Sequence, residues 1–228
     1  MSVGDSDVSV SVVIPAFNAE RFLLEAINSV RVQAHSNIEI IVVDDGSTDR
    51  TFQIASDTPG IKVIRQSNGG IGAARNAGVK ICTGELLAFL DADDLWSPDK
   101  LQRQLTIAED FAEIDLITGR VRQFYDASHP LADTKLPEFH EGEVAGTLLI
   151  PTERFHKVGW FNTELTVGEF IDWFSRSKSL GLRSHRSDAI ILERRIHDQN
   201  TGVRRRDARS EYLKTLKAHL DRRRAKEA

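Results

Sequence analysis

The acids Asp91, Asp93 and Asp94 follow an apolar run, Leu86-Leu87-Ala88-Phe89-Leu90, in the stretch with the clearest means to do chemistry. Carboxylates crowded in this way repel one another unless a cation sits among them. Mg²⁺ and Mn²⁺ prefer such oxygen ligands, commonly shared with the phosphates of a substrate. The plainer alternative is that Asp93 and Asp94 only cap the helix opened by Ser97-Pro98. A second acid pair, Asp44-Asp45, closes the apolar run Ile38 to Val43 and leads into Gly46-Ser47-Thr48-Asp49, which is also ordinary turn chemistry. A third polar group, Pro15-Ala16-Phe17-Asn18, ends the run Val8 to Ile14.

These groups can act together only if the elements behind them bring them to one place. The three apolar runs read as strands buried on both faces of a parallel sheet. Leu23, Ala26, Ile27 and Val30 recur at helical spacing after the first strand, with Asn18 as a candidate cap. A short helix stopped by Pro59-Gly60, a strand Ile61 to Ile64, and a helix Ala73 to Ile81 complete the first half. Strand and helix alternate with short connections, which predicts a mostly parallel central sheet flanked by helices, with right-handed crossovers. In such sheets the ligand crevice lies outside the carboxyl ends of the strands. All three polar groups stand at that edge, which predicts a nucleotide-sized site there.

The second half is less regular. Leu116 to Tyr125 reads as a strand, 126–143 as a polar loop or lid, Gly146 to Ile150 as short and apolar, Phe170 to Leu180 as a helix, and Ala189 to Ile196 as the last strand. Without a linker or a core of its own, this half belongs to one domain with the first. That domain covers 1–203, with a donor-side half at about 8–105 and an acceptor-side half at about 106–203. A basic tail, 204–228, holds 10 Lys or Arg against 4 Asp or Glu, and Leu213, Leu216 and Leu220 share one helical face there. It reads as a contact for an anionic membrane surface, for the domain itself, or for a second copy.

Composition excludes several classes. At 228 residues with 40% apolar and 28% charged residues, the chain can build a sizeable core. A formal charge of -4 argues against a nucleic-acid partner. The single Cys82 excludes an internal disulfide and fits a reducing cytosol. With no apolar run of membrane-spanning length, the expected location is cytoplasmic, with peripheral contact at the inner membrane surface through the tail. Gly70-Ile71-Gly72 is followed by Arg75 where a dinucleotide fingerprint needs Gly or Ala, so a nicotinamide site is not expected. His129, His140, His156 and His185 lack metal-ligand spacing.

Four segments together, Ser11 to Asn18, Val43 to Thr51, Ala73 to Gly78 and Phe89 to Asp94, resemble the GT-A fold family 2 glycosyltransferases in order and spacing. The resemblance implies a GT-A domain that binds a nucleotide-diphospho-sugar, often a UDP-sugar. With Mn²⁺ or Mg²⁺, such a domain passes the sugar to an acceptor hydroxyl, with inversion. The acceptor is left open among a glycan, a lipid-linked molecule, a peptide and a small molecule. It further implies that Asp44 and Asp45 read the base, that Pro15, Ala16 and Asn18 wall the base and ribose, and that Arg75 stands near the nucleotide. Asp91 and Ala92 would line the nucleotide-sugar site, with Asp91 and Asp93 as the metal-binding pair. His197, in the segment Arg194 to Asn200, resembles a late Arg-x-His element and could join the metal.

One departure stands out. Members usually carry Gly-Glu-Asp-x-Asp near residue 168, with the second acid as general base, whereas this chain reads Gly168-Glu169-Phe170-Ile171-Asp172. Phenylalanine cannot take a proton. Glu169 and Asp172, three apart on a helix, are then the candidate catalytic acids, Glu169 first; Asp172 could instead pair with Arg176. The missing acid keeps open a second function, a non-catalytic sugar-nucleotide-binding module. A nucleotidyltransferase is disfavoured, because the Gly-rich region lacks a phosphate-loop lysine.

Overall fold

A computed structural model describes residues 8–132, 134, 136, 143–198 and 200. The basic tail and His140 lie outside the described residues. Strands β1 (Val10–Ala16), β2 (Ile38–Asp44), β3 (Lys62–Arg65) and β4 (Leu86–Phe89) pair in parallel, with β1 between β2 and β4. Four more strands, β5 (Leu95–Trp96), β6 (Leu116–Tyr125), β7 (Leu149–Pro151) and β8 (Ser184–Ile196), complete one sheet of order β3-β2-β1-β4-β7-β6-β8-β5. Only β5 and β7 run against the rest: β7 lies antiparallel to β4 and β6, and β5 antiparallel to β8. The sheet is therefore mostly parallel, as the alternation of elements predicts.

Every residue of β1 is buried, because helices cover both faces of the sheet. The period-2 alternation of a strand sorts its side chains. Val10, Val12, Ile14 and Ala16 face a core closed by α1 (Leu23–Arg31), α2 (Thr51–Asp57) and α4 (Lys100–Asp110). Val13 faces the other core, closed by α3 (Ile71–Val79), α5 (Thr152–Val158) and α6 (Glu169–Ser179). Each core draws on both halves of the chain: Val121, Leu149 and Leu192 join the first, and Leu116, Ile150 and Trp173 the second. The described residues thus fold as one domain.

Register then places the site. Ala16 is level with Asp44 and Val13 with Phe89, so β1, β2 and β4 all end at one edge. The Asp45 N–H donates to Ala16 O at 2.8 Å and the Leu90 N–H to Val13 O at 3.1 Å, which carries the pairing into the loops. Helix α3 lies hard against β1: a methyl group on Gly78 would stand 2.3 Å from Val13 Cγ1. That close approach lets Arg75, one turn earlier on α3, reach the edge from beneath.

Several expectations need correction. Helix α4 begins at Lys100 with Asp99 in the cap position, because the Ser97 to Asp99 turn intervenes, with the Lys100 N–H donating to Ser97 O. Asn18 does not cap α1, which starts at Leu23; it sits at φ 50° and joins two loops instead. Helix α3 starts and ends two residues before the expected Ala73 and Ile81, and Cys82 lies past it, half-buried, where burial pushes its thiol up. Neither β5 nor α5 shows as a periodic run, and β8 begins five residues before the expected Ala189.

Lys100 is fully buried, with its Nζ 2.5 Å from Gln104 Oε1 and 4.2 Å from the centre of the Trp96 ring. The ring favours the cation, but desolvation outweighs it and pushes the amine down to about 7. The unfolded chain, with an ordinary lysine, keeps its proton to higher pH, so stability rises as pH climbs above about 7. Lys100→Met should therefore be more stable than the parent at pH 6, by on the order of 2 kcal/mol, and its advantage should shrink by pH 9. Urea melts at the two pH values check this.

Candidate active site

The loops at the sheet edge enclose a cleft of about 2330 Å³, lined by Pro15, Ala16, Asn18, Asp45, Arg75, Asp91, Ala92, Asp93 and Glu169 among others. An ordinary small-molecule pocket holds roughly 300–1,000 Å³, so this one has room for two substrates side by side. Nine of the residues expected from sequence are thus brought together, and His197 joins them. Asp44 and Asp172 do not line the cleft.

On the β1–β2 side, Asn18 stitches the loops: its N–H donates to Ser47 Oγ at 2.9 Å and its Oδ1 accepts the Thr48 N–H at 2.8 Å. Asp45 Oδ1 accepts from Gly69 N–H at 2.9 Å and Gln66 Nε2 at 2.7 Å, and its Oδ2 from Gly70 N–H at 2.8 Å. The carboxylate thereby fixes the glycine loop that opens α3. Asp44 is fully buried; Oδ1 accepts the Ser47 N–H at 3.3 Å and Oδ2 lies 3.2 Å from Arg65 Nε. It supports the turn from below, so the expectation that Asp44 touches a base is not met by its position.

Beyond β4 the acids divide their work. Arg75, 2% exposed, stands between Asp91 and Glu169: Nη2 meets Asp91 Oδ1 at 2.6 Å and Nη1 pairs with Glu169 Oε1. Burial works against its charge, but the two carboxylates outweigh that and raise its pKa. A bare surface cation is thereby ruled out for Arg75. Gly168, at φ 81°, turns the chain so that Glu169 enters the first turn of α6 beside it.

The end of β8 grips the next two acids. Asp93 Oδ2 accepts from His197 Nε2 at 3.0 Å and Asn200 Nδ2 at 3.2 Å. Asp94 Oδ1 accepts the Arg195 N–H at 2.9 Å, while Arg195 Nε donates to Asp93 O at 3.1 Å. The Arg195 guanidinium also meets Glu25 at 2.7 Å and packs on Phe22 and Phe124 at 4.7 and 4.9 Å. Burial, then the charges of Asp93 and Asp91, push the Asp94 carboxyl well above the usual range. Asp91 shares its cation with Glu169, and Asp93 is held by His197 and Asn200, so the carboxylates of this loop outnumber the Arg and Lys side chains seen to pair with them among the described residues.

That surplus, on hard carboxylate oxygens, fits a divalent cation. Among the described residues no group of three His, Cys, Asp or Glu side chains forms a ready metal site. The arrangement suits a cation held by Asp91 and Asp93 that completes its shell with substrate phosphate and water. The expected third ligand stands beside this pair, with His197 Nε2 3.0 Å from Asp93 Oδ2.

The two candidate bases are both engaged. Asp172 Oδ2 lies 3.0 Å from Arg176 Nε, and Arg176 in turn donates to Val158 O and Trp160 O at 2.7 and 2.6 Å. Asp172 is a structural acid that braces α5 against α6. Glu169 lines the cleft, but Arg75 claims its Oε1. Phe170, 4% exposed, packs on Trp173 at 6.1 Å and presents an apolar ring to the cleft where the sequence resemblance leads one to expect an acid.

Sequence reasoning missed Arg195, Asn200 and Glu143. The first two stand beside His197 in the Arg-x-His segment, a signal that was available. Glu143 ends the polar stretch read as a loop or lid, and no periodicity marks it. It lines the cleft with its Oε2 buried and without a hydrogen-bond partner among the described residues.

The family model described as "Glycosyl transferase family 2" matches residues 11–166. The chain belongs to glycosyl transferase family 2. An uncharacterized glycosyltransferase of Rickettsia typhi is 35% identical over 210 residues, covering 84% of this chain and 65% of that protein. Another, from Nostoc, is 50% identical over 115 residues, covering 48% of this chain and 35% of its own. The chain therefore spans between about a third and two thirds of the length of these curated relatives. Among solved structures, S. aureus TarS 1-349 in complex with UDP-GlcNAc has the same fold, with a TM-score of 0.69 and 23% identity, covering 84% of this chain and 60% of that one. The GT-A expectation holds for this family 2 domain. No helix among the described residues is long and apolar enough to cross a membrane.

Proposed function

We propose that this domain transfers a sugar from a nucleotide-diphospho-sugar, a UDP-sugar, to an acceptor hydroxyl by direct displacement with inversion. The observation that carries the reading is the convergence of Asp45, Arg75, Asp91 and Asp93 on one cleft wide enough for donor and acceptor. Family membership and the UDP-GlcNAc complex of TarS, a protein of the same fold, support it. In this reading Pro15, Ala16 and Asn18 wall the base and ribose, and the loop fixed by Asp45 closes over them. Asp91 and Asp93 hold the cation, Mn²⁺ or Mg²⁺, which when bound supplies Lewis-acid neutralisation of the leaving diphosphate. His197 and Asn200 orient Asp93, and Glu169 holds Arg75 against Asp91.

The burial of Phe170 and the pairing of Glu169 favour a second reading, a binding module without turnover. One experiment separates the two. A panel of UDP-sugars is screened by thermal shift with Mn²⁺ and with EDTA, and each binder is then followed for UDP release. We expect one donor at saturating concentration to raise the Tm by about 5 °C with Mn²⁺ only. The same donor should be slowly hydrolysed; binding without release favours the module.

A further inference from the structure

With position 170 apolar and Glu169 bound to Arg75, the cleft has no acid from α6 with both oxygens open. Other carboxylates line it, and nearly all are committed. Glu20 pairs with Arg50, Asp45 accepts from Gly69 and Gly70, Asp49 accepts from Thr51, Asp91 pairs with Arg75, and Asp93 and Asp94 are held by the end of β8. Glu143 is the exception: no donor or cation among the described residues bonds to its Oε2, although that atom is buried. A buried acceptor left without a partner calls for a reason, and a catalytic role is one of the few.

Its position fits such a role. Strand β7 runs antiparallel to β4, with Leu149 level with Ala88 and Pro151 with Leu86. Residues before Leu149 therefore run past the carboxyl end of β4, alongside the loop of Asp91 to Asp94. A 3₁₀ turn at Ala145–Thr147 holds them there, and Trp96 Nε1 donates to Gly146 O at 3.1 Å. Glu143 thus enters the cleft on a braced segment, next to the loop that carries the metal-binding pair.

We propose that Glu143 is the general base of this chain, in the place left empty by Phe170. The proposal rests on the transferase reading above. The acceptor O–H bond breaks and its proton passes to the Glu143 carboxylate. The freed oxygen pair forms the bond to the anomeric carbon of the donor. The bond from that carbon to the diphosphate oxygen breaks, and its electron pair leaves with the nucleotide diphosphate. Water can stand in for the acceptor in the same step, as slow donor hydrolysis.

The test uses the full chain, Mn²⁺ and whichever UDP-sugar of the panel the parent hydrolyses. Glu143→Gln should lower UDP release at least ~100-fold, the scale of a general base, with KM and the calorimetric affinity for UDP within about twofold of the parent. The acid limb of the pH–rate profile should vanish with it. Glu143→Asp should retain part of the rate, and formate should restore part of the rate of Glu143→Ala. Turnover of Glu143→Gln within about threefold of the parent overturns the assignment while leaving the transferase reading intact. A loss of UDP affinity as large as the loss of rate makes Glu143 a donor-binding residue and also overturns it. If the parent binds UDP but hydrolyses no donor, or binds no UDP at all, the transferase reading itself fails and the base assignment falls with it.

Discussion

Asp93→Ala will remove the advantage that Mn²⁺ gives to UDP binding and lower donor turnover by at least about a thousandfold, with little change in stability. A cation clamp at a developing charge is worth several kcal/mol, and each 1.36 kcal/mol is a factor of ten in rate. Asp93 has a side chain 31% exposed and is gripped from one side only, by His197 and Asn200. Its loss empties a place at the cleft wall rather than in either core, so the melting temperature should stay near that of the parent. Asp93→Asn keeps the shape and one acceptor oxygen while removing the charge, and should fail nearly as badly. Calorimetry of UDP with Mn²⁺ and with EDTA is the decisive measurement. Equal affinity in the parent under both conditions would show that the cation has no part in donor binding.

Arg75→Met will act on the fold as well as the site. The guanidinium is the shared partner of two carboxylates, and Glu169 is only 6% exposed. Removing one member of a buried ionic group leaves an uncompensated charge and costs about 3–5 kcal/mol. Arg75→Lys should rescue little, because one ammonium cannot reproduce a planar fork that faces Asp91 and Glu169 at once. The double variant Arg75→Met, Glu169→Gln should recover part of the loss, because the stranded charge is gone; the difference from additivity measures the pair. Urea titrations of the four proteins give the cycle. Independent, additive losses would mean that the pair does not hold the two elements together.

The sheet and most of the cleft were legible in the sequence for a physical reason. The strands β1, β2 and β4 are largely buried on both faces, so each is a mostly apolar run, broken only by Ser11 in β1 and Glu39 in β2 before the acid that ends it, and parallel topology forces their ends to one edge. Asp45, Asp91 and Asp93 could be placed together before any coordinate. The role of Asp44 could not, because alternation along a strand end decides which of two adjacent acids turns inward, and here Asp44 does. Nor could the pairing of Arg75 with Glu169, which joins residues 94 apart and leaves no local pattern. The strand β5 is two residues long and exists only through its pairing with β8. Glu143 was hidden for a related reason: its place follows from the antiparallel register of β7 against β4, which composition does not encode.

The last strand has a practical meaning for anyone cutting this chain. Ile196 closes β8, and a fragment ended there would keep the eight strands and the two cores seen among the described residues. It would also have lost His197 and Asn200, the two side chains that hold the Asp93 carboxylate. Such a fragment should purify well, melt cooperatively and still be a poor enzyme. Expression boundaries for this domain are therefore better set by the outermost residue that touches the cleft than by the outermost residue of the sheet.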